Sequence, residues 1–262
     1  MRHIDCKKYA QEILDKVKAI PHKKKLVILT VGDNPASASY VKGKIKDCKY
    51  CDIPYEHIQL SDDFSSKIKL TLEINKANDD DEVGGIIVQL PLPEGFDEEK
   101  YTNLVRADKD VDGFLPGSPF KPCTPEGIMH ILHEELGDLE GRHVLVIGRG
   151  KLVGRPLAEM LLRENCTVTI AHSKTRNLDY LLSNPWDVIV SAAGKANLVN
   201  LHNCCADVVI DAGVNRNAEG KLVGDCYNFD ANHPHDVYVT PVPGGIGLLT
   251  RAMLMQHVAK SK

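Results

Sequence analysis

The chain has 262 residues, 43% of them hydrophobic and 26% charged, with a formal net charge of -4. That length holds one large domain or two small ones, and the balance is ordinary for a folded globular protein. The slight acidic surplus speaks against nucleic acid as a partner, because general nucleic-acid binders carry a basic excess.

In chain order, apolar runs of strand length alternate with longer helical patterns. Residues 5–19 read as a helix, 25–31 as a buried strand, 37–50 as a helix and 55–60 as a short strand. A helix at 65–78 leads to a strand at 83–90, then to helices at 97–106 and 125–136. In the second half, strands are expected at 143–147, 167–171, 187–192, 207–211 and 237–240, with helices at 153–164 and 246–259. Alternation of this kind implies α/β architecture with parallel sheets and crossover helices. The Pro/Gly-rich stretch 113–125 is the candidate domain boundary, and Pro241-Val242-Pro243-Gly244-Gly245 is where the chain is expected to turn back.

No apolar run approaches the ~18 residues of a membrane-spanning helix. The polar start, Met1-Arg2-His3-Ile4-Asp5, lacks a signal-peptide apolar region, so a cytoplasmic location without a membrane partner is expected. Eight cysteines include one Cys48-Lys49-Tyr50-Cys51 pattern and the adjacent Cys204-Cys205. A structural zinc site needs two further ligands at matching spacing, so ordinary reduced thiols and no metal are expected. The cluster Lys23-Lys24-Lys25 reads as solvated surface.

Gly148-Arg149-Gly150-Lys151-Leu152-Val153-Gly154 follows a strand and opens a helix, the setting a dinucleotide-binding turn requires. Glycine lets backbone N–H groups approach a pyrophosphate, and the helix N-terminus adds positive potential. An NAD site usually places a carboxylate about 20 residues further on. Here the next strand runs into His172-Ser173-Lys174-Thr175-Arg176, which offers hydroxyl and basic groups instead. Those groups suit a 2′-phosphate, so NADP is expected in preference to NAD. A plain polar loop is the simpler alternative.

Three first-half segments carry unusual polar groups. Tyr40 and Lys44 lie four apart and share a helix face. Gln89 closes a very apolar strand, and ligands of parallel sheets bind outside strand C-termini. Asp112 belongs to Asp108-Lys109-Asp110-Val111-Asp112-Gly113, an alternation that suggests calcium but lacks the rest of a twelve-residue loop. Singly, these are a surface pair, a strand-end amide and a turn.

Together the segments resemble the bifunctional methylenetetrahydrofolate dehydrogenase/cyclohydrolase family. The similarity runs through Ser39-Tyr40-Val41-Lys42-Gly43-Lys44, through Gln89-Leu90-Pro91-Leu92-Pro93, and through Lys109-Asp110-Val111-Asp112-Gly113. It continues through Pro122-Cys123-Thr124-Pro125, the 148–156 turn, 172–175 and Thr240-Pro241-Val242-Pro243-Gly244-Gly245-Ile246-Gly247. The resemblance implies two domains with a cleft between them. An N-terminal folate-binding α/β domain, 1–120, would be completed by the C-terminal helix 244–262, and 121–243 would be Rossmann-like and bind NADP. It implies NADP-dependent oxidation of 5,10-methylenetetrahydrofolate and hydrolysis of the methenyl product, by a homodimer. Lys44 is implied as the group essential for hydrolysis, with Gln89 its partner. Tyr40 would stack on the aminobenzoate and Asp112 would hold the pterin. Further folate contacts are implied at Leu90, Pro243, Gly244 and Gly245, and cofactor contacts at Gly148, Arg149, Gly150, Gly154, Ser173, Arg176 and Ile246.

The chain departs from the family pattern at three places. Gly150 stands where Ser is common, removing a hydroxyl near the cofactor phosphates. Leu248-Leu249 replaces Pro-Met, an expected change in a cleft loop, and Asp52 replaces a glycine at a helix end. The alternatives are a dehydrogenase with weak cyclohydrolase activity, NAD-linked, and a non-catalytic folate- or nucleotide-binding homologue. The presence of Lys44 and the intact four-residue set argue against them. A short-chain dehydrogenase would also use Tyr-x-x-x-Lys, but there the pair follows the glycine-rich turn, whereas Tyr40 precedes it by more than a hundred residues.

Overall fold

The computed structural model describes residues 1–229 and 236–261. Along the chain run β1 (Arg2–His3), α1 (Cys6–Lys18), β2 (Lys25–Val31), α2 (Pro35–Tyr50), β3 (Tyr55–Leu60), α3 (Phe64–Asp79), β4 (Val83–Val88) and α4 (Glu98–Thr102). A 3-10 turn follows at Ala107–Lys109. The second half contributes α5 (Cys123–Leu136), β5 (His143–Ile147), α6 (Gly154–Arg163), β6 (Thr167–Ala171), α7 (Leu178–Leu182), β7 (Pro185–Ser191), β8 (Val199–Asn200) and β9 (Cys205–Asp211). Short strands β10 (Asn215–Arg216), β11 (Leu222–Val223), β12 (Cys226–Tyr227) and β13 (Tyr238–Val239) precede α8 (Ile246–Lys260).

Two compact units result. One comprises Gln11–Cys123 and Arg251–Lys262; the other comprises Met1–Ala10 and Thr124–Thr250. The boundaries fall inside α1 and α8 and after the first residue of α5. The first unit holds a three-stranded parallel sheet in the order β3-β2-β4. The central strand β2 and its neighbour β4 are continuous apolar runs because both faces are covered: every residue of β4 is buried, and so is every residue of β2 after Lys25. The core joins Val27, Leu29 and Val31 to Leu70 and Ile74 of α3 and to Ile86 and Val88 of β4.

The other unit holds a six-stranded parallel sheet in the order β1-β13-β9-β7-β5-β6. Leu145, Ile147, Ile189, Val209 and Val239 centre its core. The α/β class and the parallel sheets agree with the sequence reading.

Several elements depart from it: α7 and the short strands β8, β10, β11 and β12 have no counterpart there. The helix expected at 97–106 stops at Thr102. There the Asn78 side chain donates to the Leu104 carbonyl at 2.7 Å and accepts from the Arg106 N–H at 2.9 Å, so tertiary bonds replace the next helical turn. The polar N-terminus forms a strand, with Arg2 and His3 paired to Tyr238 and Val239. Among the described residues no helix is long and apolar enough to cross a membrane.

Candidate active site

In the three-stranded unit, α2 begins at Pro35, with Asn34 Oδ1 accepting the Ser37 N–H at 3.3 Å. Proline in the first turn and an amide cap before it favour a helix start here. Ser37, Tyr40, Lys44 and Asp47 then follow helical spacing and share one face. Lys44 is 9% exposed, and its Nζ donates to Gln89 Oε1 at 3.0 Å.

Gln89 lies one residue beyond β4. Its N–H still donates to the Leu29 carbonyl at 2.9 Å, and its Nε2 donates to the Leu90 carbonyl at 2.8 Å. That last bond fixes the amide's orientation and turns its acceptor oxygen to the amine. Tyr40 is half-buried one turn before Lys44.

The three aspartates of the 108–113 run go to three destinations. Asp108 pairs with Arg106 at 2.7 Å. Asp110 is buried and accepts from the N–H groups of Gly113 at 3.1 Å and Leu115 at 2.7 Å. Burial is the main reason its carboxyl sits above the usual range, and those backbone bonds partly offset it.

Asp112 is half-buried, and among the described residues nothing hydrogen-bonds its carboxylate or joins it to the Lys44–Gln89 pair. Its loop is nonetheless held. His257 of α8 hydrogen-bonds the Val111 carbonyl through Nδ1 at 2.8 Å and stacks on Phe120 at 4.6 Å. Gly113 has φ +75°, and a Cβ there would meet the Lys121 carbonyl oxygen at 2.3 Å. Among the described residues no group of three or more His, Cys, Asp or Glu side chains is placed to hold a metal ion.

In the six-stranded unit, the glycine-rich turn joins β5 to α6. Gly148 has φ +117°, and a Cβ on it would lie 2.3 Å from the Ala192 carbonyl oxygen. A Cβ on Gly154 would lie 2.1 Å from the Gly148 carbonyl oxygen. Around Gly150 there is open space. This is a cradle of bare backbone at the N-terminus of a ten-residue helix, and it fits a dinucleotide pyrophosphate.

The Gly148 N–H donates to the Ala171 carbonyl at 2.8 Å, so the loop after β6 starts beside the turn. Ser173 and Arg176 of that loop are exposed, as is Arg149. Pro243 and Gly244 are also exposed, Gly245 and Ile246 are buried, and Leu90 of the other unit is half-buried. Leu248 and Leu249 sit in the first turn of α8, not in a loop as expected, and Leu249 packs over Gly127.

Residue models of tetrahydrofolate dehydrogenase/cyclohydrolase match this chain twice: the catalytic domain over residues 4–112 and the NAD(P)-binding domain over residues 122–262. The chain belongs to the tetrahydrofolate dehydrogenase/cyclohydrolase family. It is 42% identical to the "Bifunctional protein FolD" of Oceanobacillus iheyensis over 251 residues, 92% of this chain and 86% of that one. Its fold matches the bifunctional methylenetetrahydrofolate dehydrogenase/cyclohydrolase of Campylobacter jejuni with a TM-score of 0.92 at 38% identity, covering 100% and 98% of the two chains. The Trypanosoma brucei methylenetetrahydrofolate dehydrogenase-cyclohydrolase, solved with NADP and an inhibitor, matches with a TM-score of 0.89 at 28% identity, covering 97% and 95%.

Within this family fold, two polar groups escaped the sequence reading. Ser37 lies three residues before Tyr40, is 9% exposed, and its Oγ has no hydrogen-bond partner among the described residues. Its i,i+3 spacing from Tyr40 was the available signal. Asp225, fully buried, gathers the loop after β7. It accepts from Ser191 Oγ, from the N–H groups of Ala193, Gly194 and Lys195, and from Asn215 Nδ2. That loop contains Ala192, whose carbonyl oxygen abuts Gly148. No local pattern announces such a role, because the donors are distant in sequence.

Proposed function

We propose that the chain oxidises 5,10-methylenetetrahydrofolate with NADP and hydrolyses 5,10-methenyltetrahydrofolate to 10-formyltetrahydrofolate. The observation that carries the reading is the 3.0 Å bond from the buried Lys44 amine to Gln89 Oε1. Family membership and the names of its bifunctional relatives support it.

In this reading the three-stranded unit is the folate domain and the six-stranded unit the NADP domain. Asp112 accepts hydrogen bonds from the pterin amino and ring N–H groups, a paired, charge-assisted arrangement. Tyr40 stacks on the aminobenzoate, and Leu90, Pro243, Gly244 and Gly245 line the same substrate. Holding the one-carbon unit in register is the protein's main contribution to oxidation. NADP supplies the hydride acceptor when bound. The backbone of Gly148, Arg149, Gly150 and Gly154 holds its pyrophosphate, Ile246 packs against it, and Ser173 and Arg176 receive the 2′-phosphate.

In hydrolysis, water adds to the cationic methenyl carbon and passes a proton to the Lys44 amine. The carbon–N5 bond then breaks, N5 takes the hydroxyl proton, and the formyl group stays on N10. Lysine acts as a base only in its neutral form, and Gln89 orients it without adding a charge that would favour the protonated form. The protein works as a cytoplasmic homodimer in this reading.

Two assays test it. Lys44→Met should lower methenyltetrahydrofolate hydrolysis by roughly 100-fold or more, the usual worth of a general base; hydrolysis at the unmutated rate would end the role given to Lys44. In steady state, kcat/KM with NADP should exceed that with NAD by about tenfold or more, one 2′-phosphate contact at charge-assisted strength. Equal rates would favour the NAD-linked reading that Gly150 suggests.

A further inference from the structure

The chemistry just described leaves unused an arrangement beside Lys44. Arg251, in the second turn of α8, donates from Nε to Asp47 Oδ2 at 2.6 Å. Asp47 is 5% exposed. The guanidinium lies over Gly43, where a Cβ would come within 2.7 Å of Nη1 and 3.0 Å of Cζ. Glycine in the middle of a helix is unfavourable; at position 43 it clears the bed on which the guanidinium rests.

Gly43, Lys44 and Asp47 share the face of α2 that carries Tyr40. Lys44 and Asp47 are i,i+3 neighbours and both are buried, where opposite charges attract far more strongly than in water. Yet their bonds diverge: the amine goes to Gln89 and the carboxylate to Arg251.

We propose that Arg251 is a positioning residue that holds the Asp47 carboxylate across Gly43, keeping it off the Lys44 amine so that the amine stays with Gln89. The proposal rests on the proton-accepting role given to Lys44. On the face of α2 that carries Lys44, the charged and titratable groups at helical spacing are Tyr40, Asp47 and Cys48; Arg251 of α8 bonds Asp47, and Gln89 is neutral. Burial first, then the Asp47 carboxylate, push the Cys48 thiol up to about 12, so it adds no charge at neutral pH. A carboxylate released beside the amine would favour its protonated form, which is useless as a base.

The test follows the pH dependence of kcat/KM for methenyltetrahydrofolate hydrolysis in Arg251→Val, Asp47→Ala and the double variant. In Arg251→Val the acidic limb should move up by about one pH unit, a loss near tenfold at pH values below the limb. Asp47→Ala, which leaves an unpaired guanidinium, should move it down. The double variant should return it to the original position, a rescue that mere packing damage does not produce. Gly43→Ala, which displaces the guanidinium, should copy Arg251→Val and serves if that variant fails to fold. Superimposable limbs in both single variants, or a double variant no closer to the original than Arg251→Val, would overturn the proposal. Hydrolysis surviving in Lys44→Met would instead remove the reading beneath it, whatever the limbs do.

Discussion

Asp52 shows how one residue can be read against its backbone. It holds φ +53° just past the end of α2, in the left-handed region where a side chain crowds the following carbonyl. The surrounding bonds close the helix: the Cys51 N–H donates to Asp47 and the Ile53 N–H to Cys48, both at 2.9 Å. The longer, six-to-one bond is the mark of a Schellman ending, whose left-handed position favours glycine. The resemblance placed glycine here, and the structure gives the reason. Asp tolerates this conformation better than most residues, so the gain from restoring glycine is modest. Asp52→Gly should stabilise the folded chain by about 0.5–1 kcal/mol, raising Tm by roughly 1–4 °C. Thermal denaturation of the two proteins side by side decides it, and a lower Tm would show that the added freedom of the unfolded chain outweighs the relief.

At the scale of the element, the β5–α6 turn separates glycines that must be bare from one that need not be. Gly148 and Gly154 face carbonyl oxygens at distances no Cβ tolerates, whereas Gly150 has open space and no positive φ. Gly150→Ser should therefore fold normally and place a hydroxyl at the phosphate cradle. A hydrogen bond to a charged group is worth about 1.5 kcal/mol, so KM for NADP should fall by roughly tenfold. Gly154→Ala should raise it instead by forcing the turn open. Unchanged cofactor KM values in both variants would argue that the turn does not hold the pyrophosphate.

The same contrast explains what could be read in advance. Strands β2, β3, β5 and β6 were legible to the residue, because a buried or alternating run states its own period. Helix α4 was overestimated because Asn78, some two dozen residues upstream, ends it with hydrogen bonds. Two-residue strands such as β1 and β12 exist only through their partners and leave no period to read. The site behaved similarly. Lys44 and Gln89 stood out by position on helix and strand, and their pairing was implied only by the resemblance, while Arg251 and Asp47 look like ordinary surface charges until α8 is set beside α2.

Over the whole molecule the cysteines set an alkaline limit to stability. Of the eight, only Cys205 is partly exposed; the other seven are buried, in both units. Burial lifts the thiols of Cys6, Cys48 and Cys204 to about 12, Cys51 to about 11, and Cys226 well above its ordinary value. The direction of the consequence follows from the raised folded value. Below about pH 8 the thiols are largely neutral in both states and this contribution to stability is intact. As pH rises from about 8 towards 12, the unfolded chain ionises its thiols and the folded chain does not, so stability is progressively lost. Each strongly buried thiol then contributes a slope of about 1.4 kcal/mol per pH unit. Lysine and tyrosine side chains titrate in the same range, so the slope of one protein alone is not diagnostic. The difference from a Cys48→Ala, Cys204→Ala double variant is, because it removes one deeply buried thiol from each unit. Urea denaturation at several pH values between 9 and 10.5 should give a double variant that starts less stable but loses stability more slowly, by up to about 3 kcal/mol per pH unit. A thiol reagent at pH 8 should meanwhile find Cys205 in the native protein and all eight cysteines in denaturant. Parallel slopes for the two proteins would mean that the buried thiols ionise in place, and that the interior around them admits charge far more readily than its apolar packing implies.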